Sequence, residues 1–316
     1  MRVLAAPDKF RGTLTAREAA AAIAAGAGRA GWAALGLPLA DGGEGTLDVI
    51  GGGNRLTTVT GPLGDPVEAA WRLEADGTAL IEAAQACGLT LAGGPERNDP
   101  LRATSRGVGE LVAAAAAEGA ERIVVFVGGV ASTDGGVGAT EAVPHPLRVP
   151  LDVACDVDAR FLDAAGVFAP QKGATPEQVA ILRERLEKLV VPDLPGSGAA
   201  GGLAGGLAAI GARLLSGFDL VADRVGFDEQ LTQSNLVVTG EGLVDATSAT
   251  GKVVGRVLER AGEAGVEALV VAGDVAPNSS IDALSLVASY GRERALAEPA
   301  ECLTELVATT LAARRN

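Results

Sequence analysis

The sequence predicts an α/β protein of two domains: a discontinuous parallel-sheet domain built from the N- and C-terminal segments, with a second, mixed α/β domain inserted between them. Three observations predict it. Short apolar runs that end in acids and glycines recur along the chain, as strands of a parallel sheet do where their carboxyl ends meet a ligand. The interval from Leu56 to Ala84 breaks that rhythm with short strands joined by tight turns. From Leu236 onward the clean βαβ alternation of the N-terminus returns, so the two ends share a domain, expected over 1–58 and 234–316, and 59–233 is inserted.

The elements follow in order. Val3 to Ala6 is a first strand, and Pro7-Asp8-Lys9-Phe10-Arg11-Gly12 leads into a helix over Thr13 to Gly28, where Thr15 and Glu18 stand in capping-box spacing. A second strand over Ala33 to Ala40 ends in Asp41-Gly42-Gly43-Glu44-Gly45, and Thr46 opens a short helix. Leu56 to Thr60, Val67 to Leu73 and Thr78 to Ala83 form a meander, with Ala75-Asp76-Gly77 as one of its turns. Thr104 to Ala117 is a helix and Ile123 to Val127 a buried strand that runs into Gly128 to Gly136. Leu151 to Ala154 runs into Cys155-Asp156-Val157-Asp158, and Thr175, Pro176 and Gln178 cap a further helix. The last segment reads strand, helix, strand, helix through Leu236 to Thr239, Lys252 to Ala264, Leu269 to Ala272 and Pro299 to Arg314.

Composition narrows the function. The 316 residues are 48% hydrophobic and 21% charged, enough for real cores. A net charge of -14 argues against nucleic acid or an anionic membrane as partner, since both select basic surfaces. The chain opens on a strand pattern rather than a leader, and no run of 18 apolar residues occurs, so a cytoplasmic protein is expected. Cys87, Cys155 and Cys302 lack metal-ligand spacing and read as reduced thiols. The single histidine, His145, stands between two prolines in a surface turn, which leaves little room for histidine-based triads or zinc sites.

The chemistry-bearing residues lie at the strand ends. Asp41 and Glu44 stand three positions apart among glycines, a pattern suited to a divalent cation or to taking a proton from a hydroxyl. Gly42 and Gly43 let backbone approach a ligand, and amides at a helix start bind anions. Asp8, Glu241, Asp245, Asp134 and Asp156 occupy equivalent positions, while Lys9, Arg11 and Lys172 are the nearby cations. Gly196 to Gly202 matches G-x-G-x-x-G, yet Pro192 and Pro195 break the run that ought to be its strand. A Walker A loop is absent, because Gly251-Lys252 lacks the first glycine and the following Ser or Thr.

Taken in order, Ala6 to Gly12, Leu37 to Thr46, Thr60 to Gly64, Ala154 to Asp158, Gly166 to Ala174, Pro195 to Leu203 and Thr239 to Gly242 resemble the bacterial glycerate kinase family, which phosphorylates D-glycerate with ATP. The resemblance spans nearly the whole chain. It departs from the family where Lys9 and Arg11, Val130 and Thr133, and Leu243 stand, and the chain is shorter than family members between Gly138 and Leu151. The resemblance implies a restriction-endonuclease-like or Rossmann-like part, placed over 1–58 and 234–316, and a flavodoxin-like part, placed in the insert. It also implies a site in the cleft, ATP with Mg2+ as donor, and 2-phosphoglycerate as product, with 3-phosphoglycerate left open. A monomer or homodimer is expected, and the two chain crossings between the domains read as a hinge on which the cleft closes.

In that scheme Asp41 and Glu44 serve magnesium or the substrate hydroxyls, and Asp8 is another pole of the site. Lys9, Arg11 and Lys172 face phosphate or the glycerate carboxylate, and Gly198, Gly201 and Gly202 donate amides. Glu241 and Asp245 line the crevice, and Asp156 and Asp134 are candidate bases or metal ligands from the insert. Two alternatives stand beside it: a NAD-dependent oxidoreductase built on the 196–202 loop with Asp219 at the ribose, and a catalytically impaired binding protein of the same family.

Overall fold

The protein is described from a computed structural model over residues 1–10, 12–249 and 251–314. Among the described residues eleven strands form two sheets: β1 (Arg2–Ala5), β2 (Ala33–Gly36), β3 (Arg55–Thr60), β4 (Pro66–Leu73), β5 (Thr78–Glu82), β6 (Arg122–Phe126), β7 (Leu151–Ala154), β8 (Arg213–Leu215), β9 (Leu236–Val244), β10 (Glu267–Val275) and β11 (Leu284–Ser285). The chain divides into two compact units, Met1–Asp41 with Phe218–Asn316, and Gly42–Gly217. These seams fall earlier in the chain than the expected crossings near Thr58-Val59 and Ser234. The displacement has a structural cause, because β3 pairs with β4 of the second sheet and the helix Phe227–Thr232 packs with the terminal segments.

The terminal unit holds a fully parallel sheet in the order β11-β10-β9-β1-β2. Counting its strands along the chain, this is 2-1-3-4-5, the doubly wound order of flavodoxin-like sheets. That order therefore belongs to the terminal segments and not to the insert, the reverse of the expected placement. Period-two side-chain alternation builds a core on each face. Val3 and Ala5 of β1 join Ile23, Leu303 and Val307 on one side, while Leu4 and Ala6 join Phe218, Val237 and Val257 on the other. Small residues let the helices Ala16–Arg29 and Pro299–Ala313 approach closely, since a Cβ on Gly26 would lie 2.5 Å from the carbonyl oxygen of Thr304. The predicted capping box at Thr15 and Glu18 is present. The strand expected over Ala33 to Ala40 stops at Gly36, and Pro38 stands beyond it on the open edge of the sheet, where no N–H is needed. Pairing continues in looser form, with the amides of Leu37 and Leu39 donating to the carbonyls of Ala5 and Pro7.

The inserted unit holds a mixed sheet in the order β3-β4-β5-β6-β7-β8. The expected meander β3-β4-β5 is antiparallel, and β5 through β8 are parallel. Its core gathers Trp71, Ile81, Leu111, Ile123, Val125 and Leu203, all fully buried. The helix Val137–Ala142 reaches β7 through residues 143–150, so the shortened stretch is a direct link between a helix and its next strand. The run Leu189 to Val191 is not a strand.

Candidate active site

The terminal unit brings three carboxylates together at the carboxyl ends of β1, β2 and β9. The carboxyl ends of β1 and β9 flank the point where the doubly wound order reverses, the place where ligands bind in such sheets. Asp8 follows β1 and is fixed by its backbone, whose N–H donates to the carbonyl of Gly240 at 2.9 Å. Phe10, 1% exposed, anchors the same loop by backbone hydrogen bonds in both directions with Leu14. The loose pairing of Leu37 and Leu39 carries Asp41 alongside. Withdrawal from water, reinforced by the charges of Asp41 and Glu241, pushes the Asp8 carboxyl up to about 7, although Lys9 and its backbone amide, 2.7 Å from Oδ1, pull the other way. Burial also raises Glu241, with Ser248 and Lys252 opposing and Asp245 and Asp41 adding to the rise. Oε1 of Glu241 is buried with no hydrogen-bond partner.

Asp245 is held differently. Its Oδ1 accepts from the backbone N–H of Thr247 at 2.7 Å and from the Thr247 hydroxyl at 2.6 Å, which lowers its carboxyl and closes a turn. Lys252 approaches the same oxygen at 3.9 Å. The sequence reading passed over Ser248 and Lys252, which supply the hydroxyl and the cation among these acids. The signal available was their place after the end of a strand, directly before the helix Val253–Ala264. Arg11 lies outside the described residues.

In the inserted unit most candidate residues are committed to protein partners. The stretch Asp41 to Gly45 straddles the seam, so Asp41 ends one unit and Glu44 belongs to the other. Glu44 accepts from the Thr90 hydroxyl at 3.4 Å. Amides at the start of the helix Thr46–Val49, expected to receive an anion, already have one: the buried Glu82 accepts from Gly45 at 3.0 Å and from Leu47 at 2.8 Å. Gly42 and Gly43 pack against the chain after β6, where the N–H of Gly128 donates to the Gly42 carbonyl and a Cβ on Gly128 would lie 2.4 Å from Gly43 Cα.

Asp134, expected as a metal ligand or base, accepts from the backbone and hydroxyl of Ser105, both at 2.8 Å, and from the amides of Gly136 and Gly138. Four donors fill a carboxylate's capacity, so Asp134 clasps two loops. Lys172 is buried at 4% exposure and donates to the Ser132 carbonyl at 2.5 Å. Burial lowers its ammonium to about 8, against the raising influence of Cys87 and Asp134. It is an interior strut rather than a surface cation. The amides of Gly198 and Gly202 donate to backbone carbonyls of Ala159 and Gly198, so neither is available to a phosphate. Gly201, at φ +70°, sits where a Cβ would meet Ser132 O at 2.3 Å and Lys172 Nζ at 3.0 Å. Asp156 accepts from the Ser216 hydroxyl at 3.1 Å and the Gly217 amide at 3.0 Å.

Two further observations bear on the alternatives. No strand enters the 196–202 loop among the described residues, and Asp219 is held by Arg256 and Arg260 at 2.7 and 2.8 Å instead of standing ready for a ribose. The oxidoreductase alternative thus lacks both its strand and its acid. Among the described residues no helix is long and apolar enough to cross a membrane, and Cys87, Cys155 and Cys302 are free thiols.

Comparison with known proteins gives the family. The model of the glycerate kinase family matches residues 3–148 and 143–312. Its two pieces meet within the shortened link before β7. A glycerate kinase of Halalkalibacterium halodurans is 37% identical over 86% of this chain and 85% of its own length, and the glycerate 2-kinase of Escherichia coli is 36% identical over 80% of each. The crystal structure of a putative glycerate kinase 2 from Salmonella typhimurium superposes with a TM-score of 0.76 at 32% identity, over 100% of this chain and 98% of that one. With a parallel α/β unit that gathers acids at its switch point and relatives aligned along nearly its whole length, the chain belongs to the glycerate kinase family and is a glycerate kinase.

Proposed function

We propose that the protein transfers the γ-phosphoryl group of ATP to a hydroxyl of D-glycerate and releases 2-phosphoglycerate and ADP. The observation that carries this reading is the convergence of Asp8, Asp41 and Glu241 at adjacent strand ends, with Asp8 raised to about 7. Phosphoryl transfer needs a carboxylate to receive the proton of the attacking hydroxyl and cations to balance the phosphates. A carboxyl near neutrality is suited to the first task. Asp8 takes the proton as the hydroxyl oxygen bonds to the γ-phosphorus and the bond to the ADP oxygen breaks. Lys9 and Lys252 stand on the same unit as positive charges for phosphate or the substrate carboxylate.

Among the described residues no group of three or more acids, cysteines or histidines is arranged to hold a metal unaided. That suits Mg2+, which keeps several waters and is bound by one or two carboxylates together with substrate phosphates. The partnerless Oε1 of Glu241 and the crowded charge beside it suit such an ion, with Asp41 and Glu241 as its protein ligands. When bound, Mg2+ neutralises charge on the phosphates. A cytoplasmic setting fits the free thiols.

A coupled assay of ADP release with ATP, Mg2+ and D-glycerate, followed by phosphorus NMR of the product, tests the reading. ADP release that requires D-glycerate, with a 2-phosphate resonance, is expected. Release without glycerate would refute the acceptor, and a 3-phosphate resonance would refute the position.

A further inference from the structure

We propose that Ser248 is a positioning residue for phosphoryl transfer, aiming the Glu241 carboxylate at the cation that accompanies ATP. The proposal rests on the kinase reading above, with Glu241 as a protein ligand of that cation, and every residue in it belongs to the terminal unit. Ser248 lies fully buried in the turn after β9, and its hydroxyl is engaged twice. The oxygen accepts the backbone N–H of Asp245 at 3.0 Å, and the hydrogen goes to the Glu241 carboxylate. A hydroxyl can do both because it accepts and donates at once. Oε1 of the same carboxylate has no protein partner, so the contact with Ser248 sets the direction in which the open side of Glu241 faces.

The turn that carries Ser248 is itself held from both sides. Asp245 Oδ1 closes it by accepting the amide and the hydroxyl of Thr247, and the amide of Ser248 donates to the Asp245 carbonyl at 3.2 Å. The helix Val253–Ala264 presses on it from the other side. There the N–H of Gly255 donates to the Ser248 carbonyl at 3.0 Å, and a Cβ on Gly255 would lie 2.7 Å from the Ala249 carbonyl oxygen. Val253 and Val257 root that helix beside Val237 of β9, so strand, turn and helix form one packed piece. Glu241 needs such a holder, because Asp41 and Asp245 repel it and a carboxylate that binds a metal keeps its direction through the hydrogen bonds behind it. Lys252 also attracts Glu241, but it stands 3.9 Å from Asp245 Oδ1 at the end of a flexible stem, so the short buried hydroxyl is the fixed contact.

Calorimetric titration of the full chain with ADP, once with Mn2+ and once in EDTA, tests the proposal against the Ser248→Ala variant. The variant is expected to bind the Mn2+ complex of ADP about 10–100-fold more weakly, the usual cost of removing a partner that orients a metal ligand. Its affinity for metal-free ADP is expected to match wild type, which also shows the fold intact. An equal loss with and without metal, or no loss in either, would overturn the positioning role. A double-mutant cycle then separates aiming from packing. In a Glu241→Ala background, Ser248→Ala is expected to change affinity for the Mn2+ complex by less than about twofold, because the carboxylate it acts through is gone. The same loss in both backgrounds would overturn the proposal. A metal-specific loss in Ser248→Ala, beside a wild-type chain without glycerate-dependent ADP release, would place the failure in the kinase reading and not in the hold of Ser248 on Glu241.

Discussion

Two sets of acids, one in each unit, are held in opposite ways. In the terminal unit Asp8, Asp41 and Glu241 crowd one another, two of them are driven up in pKa, and one Glu241 oxygen is buried without a partner. In the inserted unit Glu82, Asp134, Asp152 and Asp156 are each met by amides, hydroxyls or guanidinium groups. Asp152 shows the pattern at its fullest, since it is fully buried between Arg122 and Arg213, and they lower its carboxyl although burial alone would raise it. All of these acids but Asp134 lie in a strand or within five residues of its end. The donors that surround an acid decide what it is suited to: satisfied carboxylates hold loops, and a carboxyl raised by burial and by neighbouring acids is suited to exchange a proton or meet a cation.

That contrast can be broken most sharply at Asp8. Asp8→Asn is expected to lower kcat by about 10²–10⁴-fold, the usual contribution of a positioned base. The same change should raise the melting temperature at pH 8. Because folding raises the pKa of Asp8 from 3.8 to about 7, its contribution to stability is fully present below pH 4 and lost as pH rises through 7. The variant's advantage should therefore vanish at pH 4. A variant that melts no higher than wild type at pH 8 would show that folding does not raise the Asp8 carboxyl. Asp41→Asn comes next, with a loss in turnover of about 100-fold or more and an almost unchanged denaturant midpoint. Unimpaired turnover would remove Asp41 from the site.

On the other side of the comparison, Asp134→Ala should act on folding. It strips partners from Ser105, Gly136 and Gly138, and urea unfolding is expected to show a loss of about 3 kcal/mol. Wild-type stability with lost turnover would return Asp134 to the catalytic set. The smallest effect is expected for Lys172→Met. Folding depresses this amine from 10.5 to about 8, so the stability it contributes is present above pH 10.5 and lost as pH falls through 8. The difference in melting temperature between variant and wild type should shift in the variant's favour from pH 10 to pH 7. A constant difference would mean that the amine titrates normally.

Much of the architecture was legible in the sequence. Apolar runs closed by acids or glycines located β1, β6, β7, β9 and β10, and the spacing of Thr15 with Glu18 and of Thr175 with Gln178 marked two helix starts that carry the full capping box. These signals are local, which is why they can be read. The seam at Asp41-Gly42 was not legible, because it depends on which sheet β3 joins, and strand pairing is a long-range choice. The site was legible in part for the same reason. Position after a strand singles out Asp8 and Asp41, but the roles of Asp134, Lys172 and Gly198 turn on donors and acceptors far away in sequence. Glu82 met the same positional criterion as the others and was passed over because it is the final residue of its strand, not part of a glycine-rich turn.

The pairing of β1 with β9 sets an order in time. Val3 lies beside Leu236 in the parallel sheet, so the first strand's partner on that side emerges from the ribosome only after the whole insert has been made. Contacts that far apart form slowly, whereas Gly42–Gly217 is contiguous and complete long before. We predict that the insert folds first during synthesis and that the nascent N-terminal βαβ segment waits with an unpaired strand edge, the form most open to aggregation and to chaperone capture. Pulse-labelled hydrogen exchange during refolding should protect β5 and β6 before β1 and β9, and simultaneous protection of all four strands would contradict that order.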